Sequence, residues 1–428
     1  MRDSVALEKL SDRDKKHLWH PLTQHKVSPD MLAISRASGA LLYDEDGKEY
    51  VDGIASWYTC MYGHCNPYIL DKVMDQMQRL DQVVFSGFTH EPAVRLSEEL
   101  VKILPQGQQK LFFSDNGSTA TEIGIKMALQ YHFNQGQKRN VLLAFEEGFH
   151  GDTFGAMSVS GLSVYNGPFE DFFIEVERIP VPTKENIGSV LAQLEQRLKN
   201  NNLAGFIYEP LVQGAAAMKM HDAEGLDKIL ALLKKHGVLL VADEVMTGFG
   251  KTGRPFASDY LDTKPDIVCL SKALTAGLIP MGLTTCTEEV YMAFYSDDIA
   301  KGLFHGHTYS ANPLACTTAL AALELLQSEE IQQSIKAISQ WHQQFGEEIK
   351  DHPKVGSIRQ LGVIFALDLN VKMERYGNLR NKLFTHFMDQ GVFLRPLGST
   401  IYILAPYVTT KDQMERIYSA IRSALELV

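Results

Sequence analysis

The sequence predicts an α/β fold, with a large domain built on a mostly parallel central sheet and a smaller α+β domain after it. Three observations lead there. Short apolar runs alternate with longer helical patterns through the middle of the chain, as in sheets covered by helices on both faces. Several runs end in an ionisable or hydroxyl residue, the position where α/β sheets present ligand-binding groups. Beyond about residue 320 the alternation gives way to a long helical pattern, more helix and two late strands.

Taken in order, GALLYDEDGKEYVDG near the start reads as a hairpin turning at Asp46-Gly47. KLFF (110–113), VLLAF (141–145), AGFIYE (204–209), GVLLVADE (237–244) and DIVCLS (266–271) read as buried strands. Between them, 119–131 and 226–236 carry helical periodicity. A long helix is expected over 317–326, then further helix, then strands near 363–369 and 401–404. These elements suggest an N-terminal segment (1–65) packing with the small domain, a large domain (66–320) and a small C-terminal domain (321–428). No internal repeat or low-complexity tract interrupts them.

Composition narrows the function classes. With 428 residues, 45% hydrophobic and 22% charged, the chain can bury a large core unaided. A net charge of −11 argues against nucleic acid and against anionic membranes, because both need clustered Lys and Arg. Five cysteines at irregular spacing form neither a disulfide framework nor a zinc motif, and read as buried thiols in a reducing compartment. The first residues lack an apolar signal region, and no run approaches the length of a membrane span. A cytoplasmic enzyme without a metal, acting on small molecules, is the expectation.

Three places carry chemistry. Ser114-Asp115-Asn116-Gly117-Ser118-Thr119 follows a strand and opens a helix, with Thr119 and Glu122 at capping-box spacing. Free N–H groups at such a terminus make an anion site. Asp243 ends a very apolar strand, where a carboxylate calls for a cationic partner. Lys272 lies just past another apolar strand, a setting in which an amine gives up its proton and becomes a nucleophile. A fourth place competes with these. Gly248–Gly253 fits G-x-G-x-x-G and contains Gly-Lys-Thr, the basis of an alternative reading as a nucleotide-dependent dehydrogenase or kinase. Val245 stands where the phosphate-loop pattern needs glycine, and Gly253-Arg254-Pro255 breaks the helix that should follow.

ADEVMTGFGKTGRPFA and KPDIVCLSKAL place Asp243 29 positions before Lys272. With DNGSTATEIGIKMAL and GFHGDTFGAMSVSG upstream and HGHTYSANPLAC downstream, they resemble the class III, or ω-, aminotransferases among the fold-type I pyridoxal-5′-phosphate enzymes. HLWHPLTQ, DGIASWYTCMYGH, EPLVQGAAAM and GVFLRPLGSTIYILAPY narrow the likeness to members that act on 8-amino-7-oxononanoate in biotin synthesis. In those members S-adenosylmethionine is the usual amino donor and lysine an alternative.

The resemblance implies roles position by position. Lys272 would bind pyridoxal phosphate as a Schiff base and relay the proton, and Asp243 would pair with the ring nitrogen. Gly117, Ser118 and Thr119 would cradle the phosphate, with Thr308 arriving from the neighbouring subunit of a homodimer. Phe149 would stack on the ring, supported by His150 and Asp152, with Glu209 close by. Arg395 would hold the acceptor's distal carboxylate, while Trp57, Tyr58, Gly306 and Tyr402 would line the substrate channel. This chain has Leu22, Tyr58 and Phe149 where such members commonly have Tyr, Trp and Tyr, and Lys251 where they have Arg. Another ω-aminotransferase, acting on a diamine or an ω-amino acid, is the alternative within the same scaffold.

Overall fold

The computed structural model describes residues 9–162, 166–371 and 378–428. Near the N-terminus are β1 (Ile34–Ser38), β2 (Leu41–Asp44) and β3 (Glu49–Asp52). The middle of the chain supplies β4 (Gln108–Ser114), β5 (Val141–Phe145), β6 (Val176–Ile179) and β7 (Leu203–Tyr208). A short ribbon of β8 (Val212–Gln213) and β9 (Lys219–Met220) precedes β10 (Leu239–Asp243), β11 (Ile267–Leu270) and β12 (Gly282–Thr287). The last strands are β13 (Val355–Leu361), β14 (Ile364–Leu369), β15 (Val392–Phe393) and β16 (Thr400–Ile403).

The central sheet runs β4-β12-β11-β10-β7-β5-β6. β12 is antiparallel to both its neighbours, and the other pairings are parallel. The expected sheet and its five expected strands are therefore present. Every residue of β5, β7, β10 and β11 is buried, which is why those runs are apolar without alternation. KLFF departs from the expectation of a buried strand. It belongs to β4 at the edge of the sheet, where Gln109 and Lys110 are exposed. β12 gave no sequence signal because its core is polar: Thr284 donates to Ala120 O (2.7 Å) and Thr285 to Gln108 Oε1 (2.6 Å). Those bonds satisfy two hydroxyls that would otherwise be costly to bury.

The hairpin at Asp46-Gly47 joins β2 to β3, with Gly47 left-handed and its N–H donating to Asp44 O. The helix expected at 119–131 spans Gly117–Asn134, and the one at 226–236 spans Ala223–Lys235. The long helix expected at 317–326 spans Pro313–Gln327 and is followed by Glu329–Ile349. β13, β14 and β16 form an antiparallel sheet, and β15 pairs in parallel with β3, Val392 opposite Val51. The N-terminal strands are thereby hydrogen-bonded to the C-terminal part of the chain.

All five cysteines are unpaired, but Cys65 is exposed, which corrects the expectation of five buried thiols. It stands in a left-handed turn after His64, whereas Cys269 and Cys286 lie in the central sheet and Cys316 in the helix Pro313–Gln327. Among the described residues no helix is long and apolar enough to cross a membrane.

β12 begins under the loop that opens helix Gly117–Asn134, and a Cβ at Gly282 would lie 2.1 Å from Asn116 O. Backbone cannot retreat as a side-chain tip can. We expect Gly282→Ala to cost about 1–3 kcal/mol of stability. It would be read as a lower urea midpoint, and an unchanged midpoint would refute this close packing.

Candidate active site

The parallel register of β10 and β11 sets Asp243 opposite Cys269, so Asp243 and Lys272 emerge from neighbouring strands at the same end of the sheet. The Asp243 carboxylate is almost fully buried. Its Oδ1 accepts from Val245 N (3.0 Å), and its Oδ2 lies 2.7 Å from His150 Nδ1. Among the described residues the other ring nitrogen, His150 Nε2, is buried with no partner. Lys272 takes a left-handed backbone (φ 52°), uncommon for a residue with a side chain and a sign of a conformation imposed by its surroundings. Among the described residues its Nζ makes no hydrogen bond or ion pair. It stands 5.2 Å from the centre of the Tyr58 ring. Burial lowers the lysine's pKa, while the charges of Asp243 and Glu209 act in the opposite sense.

Beside them lies the N-terminus of helix Gly117–Asn134. The expected Thr119/Glu122 capping box is not formed. The cap is Asn116, whose Oδ1 accepts from Thr119 N (2.9 Å) while Thr119 Oγ1 accepts from Asn116 N (3.2 Å). Glu122 instead reaches across to the next helix, Phe154–Val159, accepting from Thr153 Oγ1, Gly155 N and Ala156 N. An acidic side chain gains more at that second N-terminus, which has no cap of its own. The Gly117 and Ser118 N–H groups, as first-turn donors, have no acceptor within the helix. A Cβ at Gly117 would meet Val245 at 2.9 Å and Ser271 at 3.6 Å, so this turn packs against the segments carrying Asp243 and Lys272. Ser118 Oγ accepts from Asp152 N (3.2 Å), tying in the loop of Phe149 and His150.

Glu209 follows β7 and is buried, accepting from Phe149 N (3.1 Å) and Gly214 N (3.0 Å). Burial pushes its pKa up to about 7, with His150 pulling it down and Asp243 adding to the rise. The Phe149 ring itself is exposed.

A second wall comes from the N-terminal segment. Ala55, Ser56, Trp57 and Tyr58 are all left-handed, with φ between 46° and 70°. Such a turn costs roughly 1–2 kcal/mol per residue. Three features hold it: Tyr58 N donates to Ile54 O, Thr59 N donates to Ala55 O, and Ser56 Oγ donates to Asp52 Oδ2 (2.9 Å). Asp52 is fully buried, accepts from Ile54 N, and contacts His64 Nε2 at 2.8 Å. Against the cost of burial, that contact together with Cys60 holds the His64 pKa up at about 10, so the pair is ionic at neutral pH. The turn sets Tyr58 edge-on to Tyr402 (5.9 Å between centroids) and Trp57 under the Arg395 guanidinium (4.9 Å). From Lys272 the side chains thus run through Tyr58 and Tyr402 to Trp57 and Arg395.

Of the residues singled out from sequence, Lys272, Asp243, His150, Glu209, Phe149, Gly117, Ser118, Thr119, Trp57, Tyr58, Tyr402 and Arg395 fall in this one neighbourhood. Gly306 and Thr308 do not join it within the chain. Both are exposed, and Thr308 O accepts from Gln82 Nε2 (2.9 Å). Their neighbour His307 pairs with Asp115 (2.9 Å) beside the anion loop. The competing loop at 248–253 is packed, not open. Lys251 is fully buried, its Nζ donates to Gly248 O (2.9 Å), and the chain after Gly253 forms only the short 3-10 turn Ala257–Tyr260, where the fingerprint needs an α-helix. The pairing of Asp52 with His64 escaped the sequence reading, because an Asp at a strand end and a His between cysteines carry no local signal of it.

A free amine, a buried carboxylate able to meet a protonated ring nitrogen, and a helix N-terminus with two spare donors suit an aldehyde-bearing pyridine phosphate. The comparisons agree. The aminotransferase class-III family pattern matches residues 22–425. The chain is 42% identical over 421 residues to the adenosylmethionine-8-amino-7-oxononanoate aminotransferase of Synechococcus elongatus, covering 96% of this chain and 98% of the relative. It is 36% identical to the enzyme of that name from Aquifex aeolicus, with 99% and 98% covered. The crystal structure of the Methanocaldococcus jannaschii enzyme of that name superposes with a TM-score of 0.93 at 30% identity, covering 98% of this chain and 99% of that one. An amine transaminase from an uncultivated Pseudomonas species, solved in its PLP-bound internal aldimine form, gives 0.89 at 27%, with 96% and 98% covered.

The Glu209 carboxyl yields a test of this electrostatic picture. Its folded-state pKa lies above the ordinary 4.5, so the folded chain holds the proton more tightly than the unfolded one. The stability it contributes is fully present at low pH and is lost as pH rises through about 7. Wild type should therefore lose stability relative to Glu209→Gln between pH 5 and 7, by up to about 1.4 kcal/mol per pH unit. Parallel urea-unfolding profiles across that range would show that burial does not shift this acid.

Proposed function

The chain belongs to the class-III aminotransferase family, and we propose that it moves an amino group onto 8-amino-7-oxononanoate, giving 7,8-diaminononanoate, with pyridoxal phosphate as cofactor. The acceptor is the one that the names of its relatives carry, and under this reading the step belongs to biotin synthesis. The observation that carries the substrate is the run from Lys272 through Tyr58 and Tyr402 to Arg395 over Trp57. It has an amine at one end, apolar rings between, and a guanidinium at the other. A keto acid with a long apolar middle matches that order, since a guanidinium fork binds a carboxylate in two parallel contacts.

When bound, pyridoxal phosphate supplies an electron sink at the reacting carbon and carries the amino group from donor to acceptor. Lys272 attaches it through an amine that burial keeps easy to deprotonate. The same amine, when free, would take up and return a proton at the substrate carbon. Asp243, held by Val245 N and His150, keeps a proton on the ring nitrogen. The first-turn N–H groups at Gly117 and Ser118, with the Thr119 end of the cap, hold the phosphate. Glu209 fixes the Phe149 backbone, so that the exposed ring covers one side of the site.

The working unit under this proposal is a two-fold dimer in which Gly306 and Thr308 of one protomer reach the other protomer's anion site. Both are exposed, on a segment that also exposes Tyr295, Ile299, Phe304 and Tyr309, a density of apolar side chains that suits a covered surface. Five unpaired thiols suit a reducing cytoplasm. The large and small domains proposed are 66–320 and 321–428, with 1–65 lying against the latter.

The direct experiment offers purified enzyme 8-amino-7-oxononanoate with a panel of donors including S-adenosylmethionine and lysine. Turnover with at least one of them is expected, and Lys272→Ala should abolish it while leaving the far-UV circular dichroism unchanged. Activity only on diamines or ω-amino acids would instead favour another ω-aminotransferase, the class to which several structural neighbours belong.

Arg395 separates the two half-reactions. Arg395 is half-buried, so loss of its contact with a carboxylate should cost about 2 kcal/mol, at the low end for such pairs, and Arg395→Ala should raise the acceptor KM roughly 30-fold. The donor half-reaction, followed alone by stopped-flow absorbance, should keep its rate. A crippled donor half-reaction with unchanged acceptor KM would assign Arg395 to the donor.

A further inference from the structure

Trp57 and Tyr58, the two rings facing Arg395 and Lys272, sit on a backbone that L-residues avoid over four consecutive positions. Nothing in ASWY favours that conformation: the stretch contains no glycine or asparagine. The turn's own backbone bonds, Tyr58 N to Ile54 O and Thr59 N to Ala55 O, are joined from outside by contacts that converge on one carboxylate. Asp52, at the end of β3 and fully buried, accepts from Ile54 N on its Oδ1 (3.2 Å). Its Oδ2 accepts from Ser56 Oγ (2.9 Å) and contacts His64 Nε2 (2.8 Å). His64 is anchored in turn by a two-way backbone bridge to Gly39 (2.7 and 3.0 Å), and Asp52 N donates to Ala40 O (2.8 Å). The carboxylate is thus fixed to the N-terminal sheet on one side and grips the strained turn on the other, through the Ile54 N–H before it and the Ser56 hydroxyl within it.

We propose that Asp52, clamped by His64 and acting through Ser56, is a positioning residue that sets the Trp57–Tyr58 wall and thereby the enzyme's selectivity for its acceptor. The inference rests on the acceptor reading given above, and it concerns residues that touch neither substrate nor cofactor. If the Ser56 link is cut, the turn can relax toward ordinary backbone, and the Trp57 ring leaves the Arg395 guanidinium. The acceptor's carboxylate end then loses its preset partner. Asp243 and the anion loop make no bond to the turn, and Lys272 meets it only at the Tyr58 ring (5.2 Å), so the donor's chemistry should hold while the carboxylate end is disturbed.

The test uses Ser56→Ala, the mildest cut, with Ser56→Thr as the conservative variant that keeps a hydroxyl. Both are made in holoenzyme carrying Trp19→Phe and Trp341→Phe, so that Trp57 is the only tryptophan and its emission reports its own surroundings. Ser56→Ala should shift or intensify Trp57 emission as the guanidinium contact is lost. It should also raise the KM for 8-amino-7-oxononanoate about tenfold at nearly constant kcat, as expected for one lost hydrogen bond to a charged group. Ser56→Thr should restore both. The single-turnover rate with donor alone should stay at the parental value in all variants. Unchanged emission in Ser56→Ala would overturn the proposal whatever the acceptor is. Changed emission with an unchanged KM, or a donor half-reaction that slows in step with the acceptor reaction, would overturn the selectivity role. Failure of the parental enzyme to use 8-amino-7-oxononanoate at all would defeat the acceptor assignment, with the emission arm still deciding the clamp.

Discussion

An amine held among rings and strand ends, without an acceptor of its own, is unfavourable in its charged form, and the site is arranged around that fact. Lys272 reaches its position because β11 pairs in parallel with β10, which delivers Asp243 to the same end of the sheet. Its left-handed backbone then turns the side chain toward Tyr58. Move the register by one residue and Asp243 no longer lies opposite Cys269, so the carboxylate and the turn that carries the amine lose their alignment. The complete burial of β10 and β11 makes such a slip expensive. Fold stability and site geometry are therefore one constraint seen from two sides.

Charge around the amine is balanced by unequal partners. Asp243 is buried with its two oxygens met by a backbone N–H and by His150, so its burial is compensated by hydrogen bonds. Glu209, equally buried, has only two backbone donors, and its acid is pushed up toward neutrality. Burial lowers the Lys272 pKa against the opposing charges of Asp243 and Glu209, which suits the nucleophile and base proposed for this amine. The same environment explains why Lys251, a second buried lysine close in sequence, is inert by comparison: its Nζ is engaged by Gly248 O.

The opposite wall follows a different logic. Where the sheet end is held by register, the Ala55–Tyr58 turn is held by a buried ion pair one strand away. Stored strain at a ligand-facing turn is tolerated because Asp52 and His64 are themselves fixed by the N-terminal sheet. The parallel pairing of β3 with β15 hydrogen-bonds that sheet to the C-terminal part of the chain, where Arg395 and Tyr402 lie. Residues from the first sixty positions and the last forty thus meet across the ring wall.

How much of this was legible depended on distance along the chain. Apolar runs gave β5, β7, β10 and β11 because strands buried on both faces must be apolar throughout. The residues at their ends gave Asp243 and Lys272, since a polar group just past such a run has few other reasons to be there. β12 was hidden because its buried threonines are satisfied by partners at Ala120 and Gln108, far off in sequence. The Thr119/Glu122 spacing misled for a related reason: local pattern fits a box, yet Glu122 finds a better partner in a helix that folds over it. Sequence alone settled the family of chemistry, because an amine, a carboxylate and an anion-binding turn each sit in a short local pattern. Tertiary structure alone decided the shape of the substrate wall, because a left-handed turn without glycine exists only where distant groups, here Asp52 and His64, outweigh its local cost.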